Sequence, residues 1–316
     1  MRTNVLTFPD ECVGELVDER FRALPKIADA RGRVTIFGRP KLVLRLTETV
    51  TEHLSFLKSL RQDALYGIHF GFARILDSDL ANLSSLTRLR LVDISSTGIG
   101  DDGFLLMLRT LPHLRSIGFG GTRVTDFALR DMPPSPRMKV FESSGRRVKI
   151  GDKGAHSIGD KFPNLLNLCL SRTDITDEGV RGINHLTLRT LNIGMTRVTD
   201  IGVAHLQGMN SLRRLSLHDI VISDSALYFL QRLDKLEFLD LSGTAIGAEG
   251  LERLSDLPRL RVLLASGVKL SSRTAAVLAR MTGLRTLSLG LQTDAALLVR
   301  LREKLSSCKV LAQVRA

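Results

Sequence analysis

Cys169, His218 and Asp240 are the side chains of this 316-residue sequence that invite a catalytic reading. A thiol, an imidazole and a carboxylate are the parts of a nucleophile activated by an oriented base. His69 is a further imidazole, and Asp93 a further carboxylate. Arginines recur as Arg90, Arg115, Arg189, Arg213, Arg261 and Arg285, each directly after a leucine. Guanidinium groups repeated in that way suit carboxylates or phosphates. Whether any of these sets acts together depends on the elements that place them.

Those elements follow an internal repeat. Leu236, Leu239, Leu241, Thr244, Ile246 and Gly250 define the frame LxxLxLxxTxIxxxG. It returns at Leu89–Gly103, Leu114–Val124, Leu165–Gly179 and Leu188–Gly202, and in copies lacking the Thr at Leu65–Ala73, Leu212–Ile220, Leu260–Val268 and Leu284–Gln292. A weaker copy runs from Lys41 to Thr49. The Thr positions fall at 49, 73, 97, 122, 173, 196, 220, 244, 268 and 292, so the step is 23 to 25 except for one gap of 51. A degenerate copy belongs in that gap, where Ile150-Gly151-Asp152-Lys153-Gly154 echoes Ile175-Thr176-Asp177-Glu178-Gly179. About eleven repeats result, within the ~20–29-residue period known for such units.

The spacing dictates one unit. Alternating leucines put their side chains on one face of a short strand. Thr turns the chain and Ile or Val closes the inner layer. Thr125-Asp126, Thr176-Asp177, Thr199-Asp200 and Ser223-Asp224 then open a helix. The hydroxyl caps orphan amides, and the acid sits at the positive helix end. Helical apolar spacing follows, as at Leu251, Leu254 and Leu257. One unit cannot bury these faces alone, whereas a stack shares one core.

The frame resembles the leucine-rich-repeat superfamily, in the TxI/V-TD-xG-L variety common in bacterial repeat proteins and similar to the repeats of F-box-associated substrate receptors. The resemblance covers roughly residues 41–305. It implies an α/β solenoid, a horseshoe with a parallel sheet on the concave face, helices on the convex face and binding of a protein partner. Most members carry Asn where this chain has Thr, so the hydrogen bonds of the turn are expected to be rearranged. Residues 1–40 are read as an N-terminal cap, 41–305 as repeats interrupted at 131–163, and 306–316 as a C-terminal cap. Cys12, Val13, Leu16, Val17, Phe21 and Leu24 have near-helical spacing in the first cap. Leu297, Leu298, Leu301 and Leu305 predict a last helix, and Val310, Leu311 and Val314 a closing strand. In the interruption, Pro133, Pro134 and Pro136 forbid a regular helix, and Gly145-Arg146-Arg147-Val148-Lys149 reads as a basic loop or a decayed repeat.

With strands ~4.8 Å apart, Cys169 and His218 are roughly 10 Å apart, too far for a nucleophile and its base, which need ~3 Å. His218 and Asp240 are neighbours able to pair. His69 and His218 lie six repeats apart and cannot share a metal. No catalytic residue, metal or cofactor is expected, and Cys12, Cys169 and Cys308 give neither a disulfide framework nor a zinc pattern. The concave positions, among them His69, Asp93, Asn192, His218 and Asp240, are mostly small and polar, with few aromatics to anchor a partner. The six arginines should line one edge of the sheet. With a net charge of +12 and a pI near 10.2, long-range attraction favours an acidic protein partner.

Nucleic acid is the rival partner, weakened by the scarcity of aromatics for base stacking, and a ubiquitin-ligase substrate receptor is a third reading. No membrane contact or small-molecule substrate is expected. With no apolar run of signal-peptide or membrane-spanning length, the expected compartment is the cytoplasm. The repeat itself makes a direct prediction. Leu215→Ala removes an inward leucine and should cost roughly 2–5 kcal/mol, read from the midpoint of urea unfolding.

Overall fold

The computed structural model describes residues 3–19, 25–38, 40–48, 54–145, 148–292 and 294–314. Phe21, Leu24, Thr49, Arg146 and Arg147 lie outside them. The chain divides into two compact units, Met1–Lys149 with Asp160–Asn164, and Ile150–Gly159 with Leu165–Ala316.

The first unit opens with four strands, β1 (Thr3–Thr7), β2 (Gly14–Asp18), β3 (Lys26–Asp29) and β4 (Arg33–Phe37). The repeat strands follow as β5 (Leu42–Leu46), β6 (Gly67–His69), β7 (Leu91–Asp93), β8 (Ser116–Gly118) and β9 (Val140–Glu142). β5 to β9 are parallel, with Leu44, Ile68, Val92, Ile117 and Phe141 aligned in one buried row. β2 extends the row antiparallel to β5, Leu16 facing Leu44, and β3 pairs with β2 on its other side. β1 and β4 form a separate antiparallel pair.

The helical spacing of the first forty residues is therefore misleading. β2 is buried on both faces, so its apolar Leu16 and Val17 are adjacent and show no strand alternation, and Cys12 to Val17 can be mistaken for helical spacing. It also lies tight on β5. A methyl group at Gly14 would come within 2.0 Å of the Arg45 carbonyl oxygen.

The second unit holds β10 (Asn167–Cys169), β11 (Thr190–Asn192), β12 (Arg214–Ser216), β13 (Phe238–Asp240), β14 (Val262–Leu264), β15 (Thr286–Gln292) and β16 (Lys309–Val314), all parallel. Leu168, Leu191, Leu215, Leu239, Leu263 and Leu287 make its buried row. The predicted last helix spans Ala295–Lys304, and the closing strand is β16.

Where the frame keeps its Thr, the turn has its own solution for the missing Asn. Thr97, Thr122, Thr173, Thr196 and Thr244 donate their hydroxyls to the carbonyl three residues back, at 2.6–2.7 Å. The residue before each Thr is left-handed: Ser96, Gly121, Arg172, Met195 and Gly243.

On the helical side the repeats are tied by a carboxylate. Asp177 opens one helix (Asp177–Ile183) and accepts from the next repeat: the Thr199 amide at 2.7 Å, its hydroxyl at 2.7 Å and the Gly202 amide at 2.8 Å. Asp152 does the same to Thr176, and Asp101 to Thr125. Asp77 and Asp224 accept the amides of Gly100 and Gly247. This close approach explains the glycine of the frame. A methyl at Gly179 or Gly202 would fall 2.6 or 2.4 Å from the preceding repeat's carboxylate oxygen.

The interruption does contain a repeat. β9 and the helix Asp152–Lys161 supply its strand and helix. Its strand-to-helix passage, Phe141 to Ile150, is two residues longer than that from Ile117 to Val124, which displaces the frame and hides it from the leucine spacing. Its core also departs from the aliphatic rule. Phe104, Phe119, Phe141 and Phe162 stack with consecutive ring centroids 4.9, 4.9 and 5.2 Å apart. Past the prolines, the Lys161 ammonium reaches the carbonyls of Arg130 and Met132 at the end of the helix Asp126–Asp131, where a cation is favoured.

Asp177→Ala should leave the Thr199 and Gly202 amides unpaired and cost about 2–4 kcal/mol. Gly202→Ala should cost about 1–3 kcal/mol through overpacking, and the two together less than their sum, because they disturb one contact. Gly208→Ala, which meets nothing within 4 Å, should leave the urea midpoint almost unchanged.

Candidate binding faces of the two units

In each strand the middle residue faces the core and the flanking residues face out, so the outward positions carry the chemistry. In the first unit they bring His69 to Asp93, with Nδ1 3.3 Å from Oδ2. The Ser95 amide donates to the other Asp93 oxygen at 2.9 Å. Gly118 makes room for this carboxylate, since a methyl there would lie 2.8 Å from it. Burial opposes the Asp93 charge, yet the bonds from His69 and Ser95 together hold its pKa below the usual carboxylate range. One residue of the neighbourhood escaped the sequence reading. Glu142, outward and exposed on β9, has its pKa raised, first by partial desolvation of its carboxylate and second by the Asp93 charge. Only the strand register of the hidden repeat places Glu142 in this group. The face between these strands is thus acidic, against the overall charge of the chain.

In the second unit Asn192, Ser216 and Asp240 align on successive strands. Asn192 and Asp240 each spend one oxygen on the amide two residues ahead, Gly194 or Ser242, at 3.0 Å. His218 lies across Gly194, where any side chain would collide with the ring. The expected His218–Asp240 pair is bridged rather than direct. Ser216 Oγ sits 2.8 Å from His218 Nδ1 and 3.4 Å from Asp240 Oδ2. A proton relay needs the imidazole between the other two groups, whereas here the serine is between them. Cys169 stands two strands from Ser216, aligned with Asn192. This constellation can hold a ligand's polar groups but lacks the order of a nucleophile, base and acid.

Beside it is a depression of about 310 Å³ whose wall includes Asn192, Ser216, His218 and Asp240. Its wall also includes a pair the sequence reading passed over. The Arg214 guanidinium lies over the Phe238 ring, 4.0 Å from its centroid. Both residues occupy the first strand position of adjacent repeats, 24 apart, so the frame itself was the signal.

The arginines stand in a column within each unit, the amides of Arg115, Arg213 and Arg285 donating to the carbonyls of Arg90, Arg189 and Arg261. Lys139 and Lys309 extend it, bonded by their amides to the carbonyls of Arg115 and Arg285. The members are not equivalent. Arg213 is paired with Glu237 at 2.7 Å, and Arg261 bonds the carbonyls of Leu260 and Gly283. Arg90, Arg115, Arg189 and Arg285 are exposed, and among the described residues their side chains have no ion pair.

A leucine-rich-repeat family model matches residues 234–255, the stretch that defines the frame. The fold is that of a leucine-rich-repeat solenoid. Among solved structures it is similar to an internalin (InlF) of Listeria monocytogenes, at 19% identity over 87% of this chain and 82% of that one, with a TM-score of 0.60. The chain matches no curated protein. Among the described residues, no helix is long and apolar enough to cross a membrane.

The two carboxylates of the first unit have opposite pH signatures. Asp93, with its folded pKa lowered, contributes stability above the ordinary carboxylate range that is lost as pH falls through the folded value. Glu142, with its folded pKa raised, opposes folding once pH exceeds the ordinary value. Glu142→Gln should therefore raise the melting temperature at pH 7 and leave it unchanged at pH 3. Asp93→Asn should lower it at pH 7 and flatten the loss of stability on acidification.

Proposed function

We propose that this chain is a non-catalytic scaffold that binds a protein partner on the outward face of its parallel strands, with an acidic partner segment lying along the arginine edge. The observation that carries the reading is the Arg214–Phe238 stack beside the Asn192, Ser216, His218 and Asp240 depression. Arginine and aromatic side chains dominate interface energy when a partner excludes water around them. Here one such pair stands beside the polar side chains of Asn192, Ser216, His218 and Asp240, which can pair with a partner's polar groups. The unpaired Arg189 and Arg285 in the same unit support an acidic segment. The Asp93 and Glu142 group supports a basic or hydrogen-bond-donating contact on the first unit's strands.

The test is a pull-down from native lysate with nuclease treatment at low and moderate salt, followed by a binding isotherm with the captured polypeptide. Phe238→Ala should weaken binding by about thirtyfold or more, as for an interface hot spot of ~2 kcal/mol. Arg189→Glu with Arg285→Glu should weaken it and reduce its salt dependence, and neither change should alter the circular dichroism spectrum. Capture of nucleic acid alone, released by salt, would sink the reading and favour phosphate-backbone binding.

A further inference from the structure

The first unit has a second concave site, away from the outward strand positions. A hollow of about 580 Å³ lies between the β1/β4 pair, which contributes Asn4 and Ile36, and the edge of the first repeats. Its wall carries Lys41, Arg61, Arg88 and Arg90 against one carboxylate, Asp63. Asp63 lies 3.6 Å from Arg61, and Lys41 rests 4.9 Å from the Tyr66 ring centroid with Glu19 at 3.4 Å. Arg88 and Arg90 are exposed and, among the described residues, their guanidinium groups have no ion pair or hydrogen bond. This is unlike Arg130, Arg181, Arg197, Arg213 and Arg280, each answered by a carboxylate at 2.6–3.1 Å.

We propose that this hollow binds a small anion bearing two or more phosphate groups. Like charges converging on a cleft with protein walls focus a positive potential on its interior. The guanidinium fork matches phosphate oxygens two at a time, and the volume suits a small molecule. With Glu19 beside Lys41 and Asp63 beside Arg61, Arg88 and Arg90 remain uncompensated, an excess that a single monoanion would not neutralise, which selects several phosphates on one molecule. The site departs from the sequence-based expectation of no small-molecule ligand. It shares Arg90 with the arginine edge but none of the residues of the second unit's depression.

The experiment is calorimetric titration of the full chain with inorganic tripolyphosphate and, separately, orthophosphate at physiological ionic strength. Saturable one-to-one binding of tripolyphosphate is expected, at least tenfold tighter than orthophosphate. Arg88→Ala with Arg90→Ala should weaken it at least tenfold, while Arg285→Ala, an exposed arginine of the same repeat position in the other unit, should leave it unchanged. No saturable binding, equal affinity for orthophosphate, or equal loss in Arg285→Ala would overturn the proposal. Competition then identifies the source. Displacement of tripolyphosphate by a soluble bisphosphorylated inositol headgroup supports the site. Displacement also by vesicles carrying that headgroup assigns it to a membrane lipid, and failure of the vesicles assigns it to a free anion.

Discussion

Most repeats offer their neighbour only three strand residues, and an amide at the start of every helix has no partner within its own helix. Both needs meet in one carboxylate. Asp177 takes the amide and hydroxyl of Thr199 from the following repeat, while that hydroxyl accepts the Ile201 amide of its own helix. Asp152 and Thr176 repeat the arrangement with Glu178, and Asp101 and Thr125 with Phe127. The capping group of one helix is thus oriented by the acid of the helix before it. Bonds chained in this way polarise one another. They set the register on the helical side as the leucine row sets it on the strand side. Gly103, Gly179, Gly202 and Gly250 follow from the lack of space beside the preceding repeat's acid.

Because the core and the register use the leucines, threonines, aspartates and glycines of the frame, the outward strand positions and the residue before each strand remain free to vary. Variation there is what distinguishes the two units. One gathers Asp93 and Glu142 into an acidic group. The other gathers a serine, a histidine and an arginine stacked on a phenylalanine. Neither arrangement contributes to the buried row beneath it, and both draw their geometry from it.

The frame was legible because one physical requirement recurs at each step. Inward leucines, turn threonines and helix-opening aspartates could be placed from spacing alone, as could the last helix and strand. What escaped were interactions between repeats. The Thr-Asp pair reads locally as a cap and a favourable dipole, and nothing in one unit says that the acid bonds the next. The arginine column was found by period, but Arg214 over Phe238 required noticing two unlike residues in one column. The repeat containing Phe141 was legible only in part, because two additional residues and phenylalanines in place of leucines shift and disguise it. Residues 14–18 misled for a different reason. A strand buried on both sides has no alternation, and Gly14 signals a close approach only once its neighbour is known.

The tie between helices has an end. Asp224 holds Gly247, but at the corresponding place the next two repeats carry Ala248 and Ser272. There the helices are joined instead by Arg280 and Glu252, an ion pair about half exposed on both sides, of a kind that contributes little in water. The stack is therefore stitched unevenly along its length. Its last turns should be the first to breathe, exchanging amide hydrogens and admitting a protease while the repeats around Asp177 stay closed.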